Sequence, residues 1–262
     1  MIQIGGREAE TLLSFVTGKP VSYLRAHADE PFDDAVVAKF NELGARLKNG
    51  EPLAYIIGTA GFYRREFLVD PRVLIPRPES EHLVDEAIAH VYLYDAPRVL
   101  DVGTGSGAIA VSIAANVPQA RIDAVDVSPH ALSVAIANRE GHRLSKRVAF
   151  YLGDLLEPVA RKRYDAIVAN LPYVPTGHGD EGLRFEPALA LDGGPDGLDV
   201  YRRFFAQAPG ALNPGGVLLA EGAPPVAAGL LALARAAFPQ ASVTLEHDYA
   251  NRERYVKVMD PG

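Results

Sequence analysis

Three short stretches hold residues whose types and spacing can do chemistry. The first is Asp101-Val-Gly103-Thr104-Gly105-Ser106-Gly107, which follows the apolar run RVLDV and opens the helical pattern AIAVSIA. Glycines at such a strand-to-helix junction let the backbone turn sharply and approach a ligand closely. The second is Asp126, at the end of the next apolar run, RIDAVD, where a carboxylate can accept both hydroxyls of a ribose. The third is VANLPYVP at 168–175, where an apolar run ends on Asn170 and enters Leu171-Pro172-Tyr173. Pro172 fixes its own φ and has no N–H, so the chain after Asn170 is locally stiff.

The loop and Asp126 together point to a cofactor that carries adenosine. GTGSGA also satisfies the dinucleotide pattern if Ala108 stands for the third glycine, which keeps a nicotinamide dinucleotide open. Asp101 favours S-adenosylmethionine: a carboxylate two residues before the loop can meet the methionine ammonium and would repel a pyrophosphate. Asp154, in the GDLL turn after the third strand, can accept from the adenine amino group or cap a helix, and Leu155 can cover the ring or join the core.

Methylation of a planar nitrogen is hard because its lone pair is delocalised. At the Asn-Leu-Pro-Tyr corner, the side-chain carbonyl of Asn170 and the backbone carbonyl of Leu171 can accept the two hydrogens of such a nitrogen. That would orient it and favour charge build-up during attack. Tyr173 can stack on the planar group and Pro172 stiffens the corner. Positioning within about 3–3.5 Å of a methyl group does much of the work, with no metal required.

These residues need a scaffold that delivers strand ends to one edge. From Pro78 onward, strands alternate with helices: RVLDVG, a helix over 106–116, RIDAVDV, a helix over 129–140, RVAFYLGD and YDAIVAN. A helix near 199–210, the strand GGVLLAEG, a helix over 225–237 and the pair SVTLEHD and ERYVKVM follow. Such alternation predicts a mostly parallel α/β sheet of Rossmann-like form, covered on both faces, with an antiparallel last strand. Pro78 suits a first helical turn, ahead of an apolar stripe of Leu83, Val84, Ala87, Ile88 and Val91. Residues 1–50 carry helical spacing, with Leu12, Leu13, Phe15 and Val16 in one segment and Val36, Val37, Phe40, Leu43 and Leu47 in another. Between them, AYIIGTAGFYRREFLVD reads as a hairpin. The predicted division is a helical substrate-docking domain over 1–50, a hairpin linker over 51–77 and a methyltransferase domain over 78–262.

Composition narrows the classes. With 48% hydrophobic and 23% charged residues, the 262-residue chain is an ordinary globular protein rather than a disordered one. A net charge of −7 argues against strong, sequence-blind nucleic-acid binding. The absence of cysteine removes disulfides, thiolate catalysis and Cys-ligated zinc. No signal-peptide pattern and no long apolar run is present, so the expectation is a cytoplasmic protein without membrane association.

Beyond these patterns, the chain resembles the HemK/PrmC protein-glutamine N5-methyltransferases. The likeness is carried by GEPLAYIIG and F-Y-x-x-x-F-x-V within 50–69, VLIPRPESEHLVDEA at 73–87, VLDVGTGSGAIAVSIA at 99–114, AVDVSPHALSVAIAN at 124–138 and EPALALDGGPDGLDVYRRF at 186–204. LIPRPESE and the EPALAL block are far more specific than the glycine loop. The resemblance implies methylation of the glutamine in the Gly-Gly-Gln loop of class I peptide-chain release factors. It carries a cofactor site onto Gly103 to Gly107, Asp126, Leu155 and Asn170, and a substrate-binding tetrapeptide onto Asn170 to Tyr173.

Three positions depart from the family's pattern. Leu171 stands where a first proline is usual, Leu155 where an aromatic is frequent, and Asn251 where glycine is common, in a turn that Asn tolerates. Asn-Leu-Pro-Tyr is also typical of ribosomal-RNA adenine-N6 dimethyltransferases, so adenine-N6 methylation of RNA or DNA is an alternative. Methylation of a ribosomal-protein glutamine is another, and a catalytically silent adaptor that binds the release factor is a third. Arg64, Arg65 and Arg72 are candidate partner contacts or solvated surface; Arg77, inside LIPRPESE, suits a structural or pocket role.

Overall fold

The computed structural model describes residues 6–178, 181–248 and 251–262. Residues 1–5 of the expected N-terminal domain and Tyr249 and Ala250 of the C-terminal DYANRER turn lie outside the described residues.

Helices α1 (Gly6–Thr17), α2 (Val21–Ala26) and α3 (Asp34–Lys48) come first. Leu12 and Leu43 are buried together with Ile56, and Val16, Phe40, Leu47 and Leu53 pack around them. Phe15 and Val37, expected on the apolar stripes, are instead exposed. The AYII segment also departs from expectation. Leu53–Ile57 is a short helix, α4, stopped by Gly58 at φ +80°. Its aromatic and β-branched residues read as strand, but Tyr55 and Ile56 face inward from a helical turn.

The hairpin is confined to β1 (Thr59–Phe62) and β2 (Arg65–Leu68), with Phe62 opposite Arg65. Its two-residue turn, Tyr63 and Arg64, has φ of +47° and +59°. Both signs suit the twist of a tight hairpin, but neither residue is the usual Gly or Asn. The turn is held from outside: the Tyr63 N–H donates to Glu81 Oε1 at 2.8 Å and its hydroxyl to Asp85 at 2.6 Å.

After a 3₁₀ turn at Pro78–Ser80 and helix α5 (Glu81–Val91), the main sheet begins. Its strands are β3 (Arg98–Val102), β4 (Arg121–Asp126), β5 (Val148–Leu152), β6 (Tyr164–Ala169), β7 (Leu212–Glu221), β8 (Ser242–His247) and β9 (Glu253–Met259), in spatial order β5-β4-β3-β6-β7-β9-β8. The five strands from β5 to β7 are parallel and β9 is antiparallel to both of its neighbours. Asn251 has φ +59° in the β8–β9 connection, the left-handed conformation expected of it.

Side chains alternate between two cores. Val99, Ile122, Ala166, Val168, Val217 and Leu219 face α5 and α6 (Ala108–Asn116). Leu100, Val125, Ile167, Ala169, Leu218 and Ala220 face α8 (Asp199–Gln207) and α9 (Pro224–Ala237). Burial on both faces explains why these strands are apolar throughout. Helix α7 (Pro129–Gly141) carries Asn138, whose amide donates to the carbonyls of Leu68 and Ser106 and whose Oδ1 accepts from the Leu68 N–H. One side chain thus ties the hairpin to the glycine loop. Among the described residues no helix is long and apolar enough to cross a membrane.

The chain runs β3, β4, β5 outward on one side, then returns to place β6 on the other side of β3. Reversal of strand order opens a crevice beyond the carboxyl ends of β3 and β6, the place where open α/β sheets bind ligands.

Candidate active site

The loop after β3 and the corner after β6 meet in that crevice. A Cβ placed on Gly103 would lie 3.0 Å from Leu171 Cδ2 and 3.3 Å from the Asn170 carbonyl oxygen. Gly105, at φ +55°, is glycine for a different reason: a Cβ there would meet nothing within 4 Å, so the backbone itself borders open space. Thr104, Ser106, Asp126, Asp154, Leu155 and Asn170 line the same cavity, as do Leu171 and Pro172.

Asp126 closes β4, and its two oxygens accept from the N–H groups of Gly105 and Ser128 at 2.8 and 2.9 Å. Burial pushes its carboxyl up, opposed by the backbone N–H groups of Ser128, Gly105 and Val127. An ionised carboxylate has about four acceptor positions, so acceptor capacity remains beside these N–H groups for a ligand's hydroxyl. Leu155 is buried at φ +50°, a conformation that costs a branched side chain energy and is held here by its fit between the cavity and the core. Asp154 caps no helix; it pairs with Arg203 of α8, which also borders the cavity.

Two residues singled out in the sequence do not border this cavity. Asp101 does not line the cavity. It lies on the face of β3 that α6 covers, where Oδ2 accepts from the Thr104 hydroxyl at 2.6 Å and the Ala110 N–H at 3.2 Å, and Oδ1 is buried without a partner. Its carboxylate therefore braces the loop from behind through Oδ2. Burial raises it to about 7, against the pull of Thr104 and Ala110. Tyr173 does not line the cavity either. Its ring packs on the α8–α9 core and its hydroxyl donates to Glu221 Oε1 at 3.3 Å.

Around the corner stand residues that no local pattern announces. The Asn170 amide donates to Ser80 Oγ at 2.9 Å. The Leu171 N–H donates to the Tyr201 hydroxyl at 3.2 Å, and that hydroxyl donates onward to the Glu221 carbonyl. A proline at 171 has no N–H to give, so the departure at Leu171 adds a hydrogen bond to α8 while removing a ring. Glu186 accepts from the Ile75 N–H at 3.0 Å and from the Arg77 guanidinium, joining LIPRPESE to the EPALAL block. Arg72 is held by Asp70 and Ser133, Arg64 is exposed and Arg65 half-buried.

The cavity fits S-adenosylmethionine on the chain's own features: backbone bordering open space at Gly105, a carboxylate with free acceptor positions at Asp126, and apolar walls at Val102, Val125 and Leu155. Comparison with known proteins agrees. The family model described as PrmC N-terminal domain matches residues 2–58, and that described as Methyltransferase small domain matches 81–183. A release factor glutamine methyltransferase of Moorella thermoacetica is 40% identical over 251 residues, covering 94% of this chain and 88% of the relative. This chain belongs to the release factor glutamine methyltransferase family. A namesake of Bordetella pertussis is 44% identical over 218 residues, 82% of this chain and 80% of the relative. Among solved structures, the hMettl16 catalytic domain matches with TM-score 0.57 at 15% identity, covering 88% of this chain and 82% of that one. A ribosomal protein L11 methylase from Lactobacillus delbrueckii subsp. bulgaricus matches with TM-score 0.51 at 18% identity, covering 73% and 82%. These structural likenesses speak to fold alone. The chain is an S-adenosylmethionine-dependent methyltransferase of the Rossmann-like class.

Proposed function

We propose that this enzyme transfers a methyl group from S-adenosylmethionine to the side-chain amide nitrogen, N5, of the glutamine in the Gly-Gly-Gln loop of class I peptide-chain release factors, in the cytoplasm. The observation that carries the reading is the state of the Asn-Leu-Pro-Tyr corner. One N–H of the Asn170 amide is donated to Ser80, while Asn170 Oδ1 and the Leu171 carbonyl accept no hydrogen bond among the described residues. A carboxamide substrate has two N–H groups to give, and the corner offers two unfilled acceptors on consecutive residues.

When bound, S-adenosylmethionine supplies an electrophilic methyl group on its sulfonium. Gly103 to Gly107, Asp126, Asp154 and Leu155 are the proposed cofactor residues: the loop backbone borders the methionine portion, Asp126 takes the ribose hydroxyls, and Asp154 and Leu155 flank adenine. Asn170 and Leu171 hold the substrate nitrogen by both hydrogens, so that positive charge developing on it faces two fixed carbonyl dipoles. Pro172 keeps the corner stiff. Tyr173, whose hydroxyl is held by Glu221, is the proposed cover for the plane of the carboxamide.

Residues 1–50 are proposed to dock the release factor, 51–77 to link and 78–262 to catalyse. The test is mass spectrometry of the Gly-Gly-Gln peptide after incubation of purified release factors, ribosomal proteins and ribosomal RNA, side by side, with the enzyme and saturating S-adenosylmethionine. One added methyl on the release-factor glutamine is expected. Transfer to ribosomal RNA or a ribosomal protein with none on the factor would overturn the reading.

A further inference from the structure

Helix α8 meets the turn after β5 along one stripe. Val200 lines the cofactor cavity and packs against the core that holds Leu155 and Leu156. One helical turn on, Arg203 Nη1 donates to Asp154 Oδ2 at 2.5 Å, and one turn further Gln207 Oε1 accepts from the Leu156 N–H at 3.0 Å. Steps of three and four residues put all three side chains on one face of the helix. The turn is also tied to the ribose side of the cavity, because the Gly153 N–H donates to the Asp126 carbonyl at 3.0 Å.

Asp154 is the one charged side chain in residues 153–156, and it borders the cavity. Arg203 takes its Oδ2, while its Oδ1 accepts no hydrogen bond among the described residues. The two side chains are 33% and 54% exposed, and an ion pair so placed adds little to folding. What the pair fixes is direction. A partly exposed aspartate without a partner is free to rotate into solvent; one bonded to a guanidinium on a packed helix keeps its second oxygen at the cavity wall.

We infer that Arg203 is a positioning residue for the cofactor: by holding Asp154 Oδ2 it leaves Oδ1 to accept from the 6-amino group of the purine, and so selects a 6-amino base over a 6-oxo base. A carboxylate bonded to a guanidinium is an acceptor only. An amino group at the purine 6-position donates to it, whereas a carbonyl there sets acceptor against acceptor and leaves both unpaired. The inference rests on the proposed place of Asp154 beside adenine.

The test is calorimetry on the full chain with S-adenosylhomocysteine and S-inosylhomocysteine, which differ in the purine 6-substituent and need no methyl transfer. The proteins are wild type, Arg203→Ala, Arg203→Lys, Asp154→Ala and the double variant Arg203→Ala/Asp154→Ala, with unmoved melting midpoints expected because the pair is exposed. Wild type is expected to prefer S-adenosylhomocysteine by about tenfold or more. Arg203→Ala and Asp154→Ala should each lose most of that preference through weaker binding of S-adenosylhomocysteine, with S-inosylhomocysteine within about twofold of wild type. The double variant should be no worse than Asp154→Ala, since both changes remove the same contact. Arg203→Lys, which keeps a charged donor for Oδ2, should recover most of the preference. If Arg203→Ala keeps the wild-type preference while Asp154→Ala loses it, or weakens both ligands alike, the inference is overturned and Asp154 stays beside adenine. A wild type without preference, or an Asp154→Ala variant that keeps it, would overturn the placement of Asp154 and the inference with it.

Discussion

At the scale of single residues, the corner after β6 separates binding from chemistry. Asn170→Ala removes an acceptor from the proposed nitrogen site but leaves Asp126, the glycine loop and Leu155 in place. Calorimetry should find S-adenosylmethionine affinity within a few-fold of wild type, and single-turnover kinetics a loss of about 10²-fold, the usual cost of one preorganised group. An unchanged rate would take Asn170 out of the mechanism. Tyr201 acts on stability instead. It is fully buried, and its hydroxyl both accepts from the Leu171 N–H and donates to the Glu221 carbonyl. Tyr201→Phe leaves that N–H and that carbonyl without their partner, so urea unfolding should register a loss of about 1–3 kcal/mol. A smaller loss would mean the corner relaxes to find other partners. Asn170, Leu171 and Asp126 were legible in the sequence because each follows a strand pattern directly. Ser80, Tyr201 and Glu221 were not, since each reaches the corner from a distant element and no local spacing marks the meeting. Asp101 was readable in principle: it shares the strand period with Val99, which puts it under α6 and away from the crevice.

At the scale of elements, the specific motif blocks are explained by what they pack against. The segment after the corner pairs with DGGPDG: Val174 exchanges backbone hydrogen bonds with Leu191 and Gly193, and Thr176 donates to Gly194. Gly197 has φ +78°, and a Cβ there would stand 2.4 Å from the Tyr173 carbonyl oxygen. Both the conformation and the contact exclude a side chain, and the Tyr173 carbonyl is backbone rather than a flexible tip that can move aside. Gly197→Ala should therefore destabilise by more than about 1 kcal/mol and lower turnover as the corner shifts. Thermal melts and steady-state rates measured together would check this, and an unaffected melt would show that the loop can swing away from Tyr173. Element order was legible from the alternation of apolar runs and helical stripes, because every central strand is buried on both faces. The helix at Leu53–Ile57 was not, since five residues are too few to show a period and their types favour strand. The hairpin turn at Tyr63 and Arg64 carried no glycine signal either; its conformation is imposed by Glu81 and Asp85 of a later helix.

At the scale of the whole molecule, two buried acids in one continuous sheet make global stability depend on pH. Asp101 rises from 3.8 to about 7 and Glu221 from 4.5 to about 7, both chiefly through burial. Between the unfolded and folded values, the native state keeps protons that the unfolded chain has released. Stability therefore falls as pH rises through about 4 to 7 and levels off above. Carboxylates held low by arginines, such as Asp70 beside Arg72 and Asp196 beside Arg202, work in the opposite sense. Their contribution is present above the unfolded carboxylate range and is lost only as pH falls below it, so the two effects occupy separate windows. From about pH 5 to about pH 7 Asp101 and Glu221, with Asp126 raised in the same sense, outweigh His90, whose imidazole burial holds below its usual range, and melting temperature should decline over that interval. Asp101→Asn isolates one member, because it keeps an oxygen for Thr104 and Ala110 while removing the ionisation. Relative to wild type the variant should gain stability as pH rises toward about 7, its own decline being carried by Glu221 and by Asp126, which burial also raises. Parallel melting curves for the two proteins across the interval would mean that Asp101 stays in one protonation state throughout, and the brace beneath the glycine loop would then have to be redrawn.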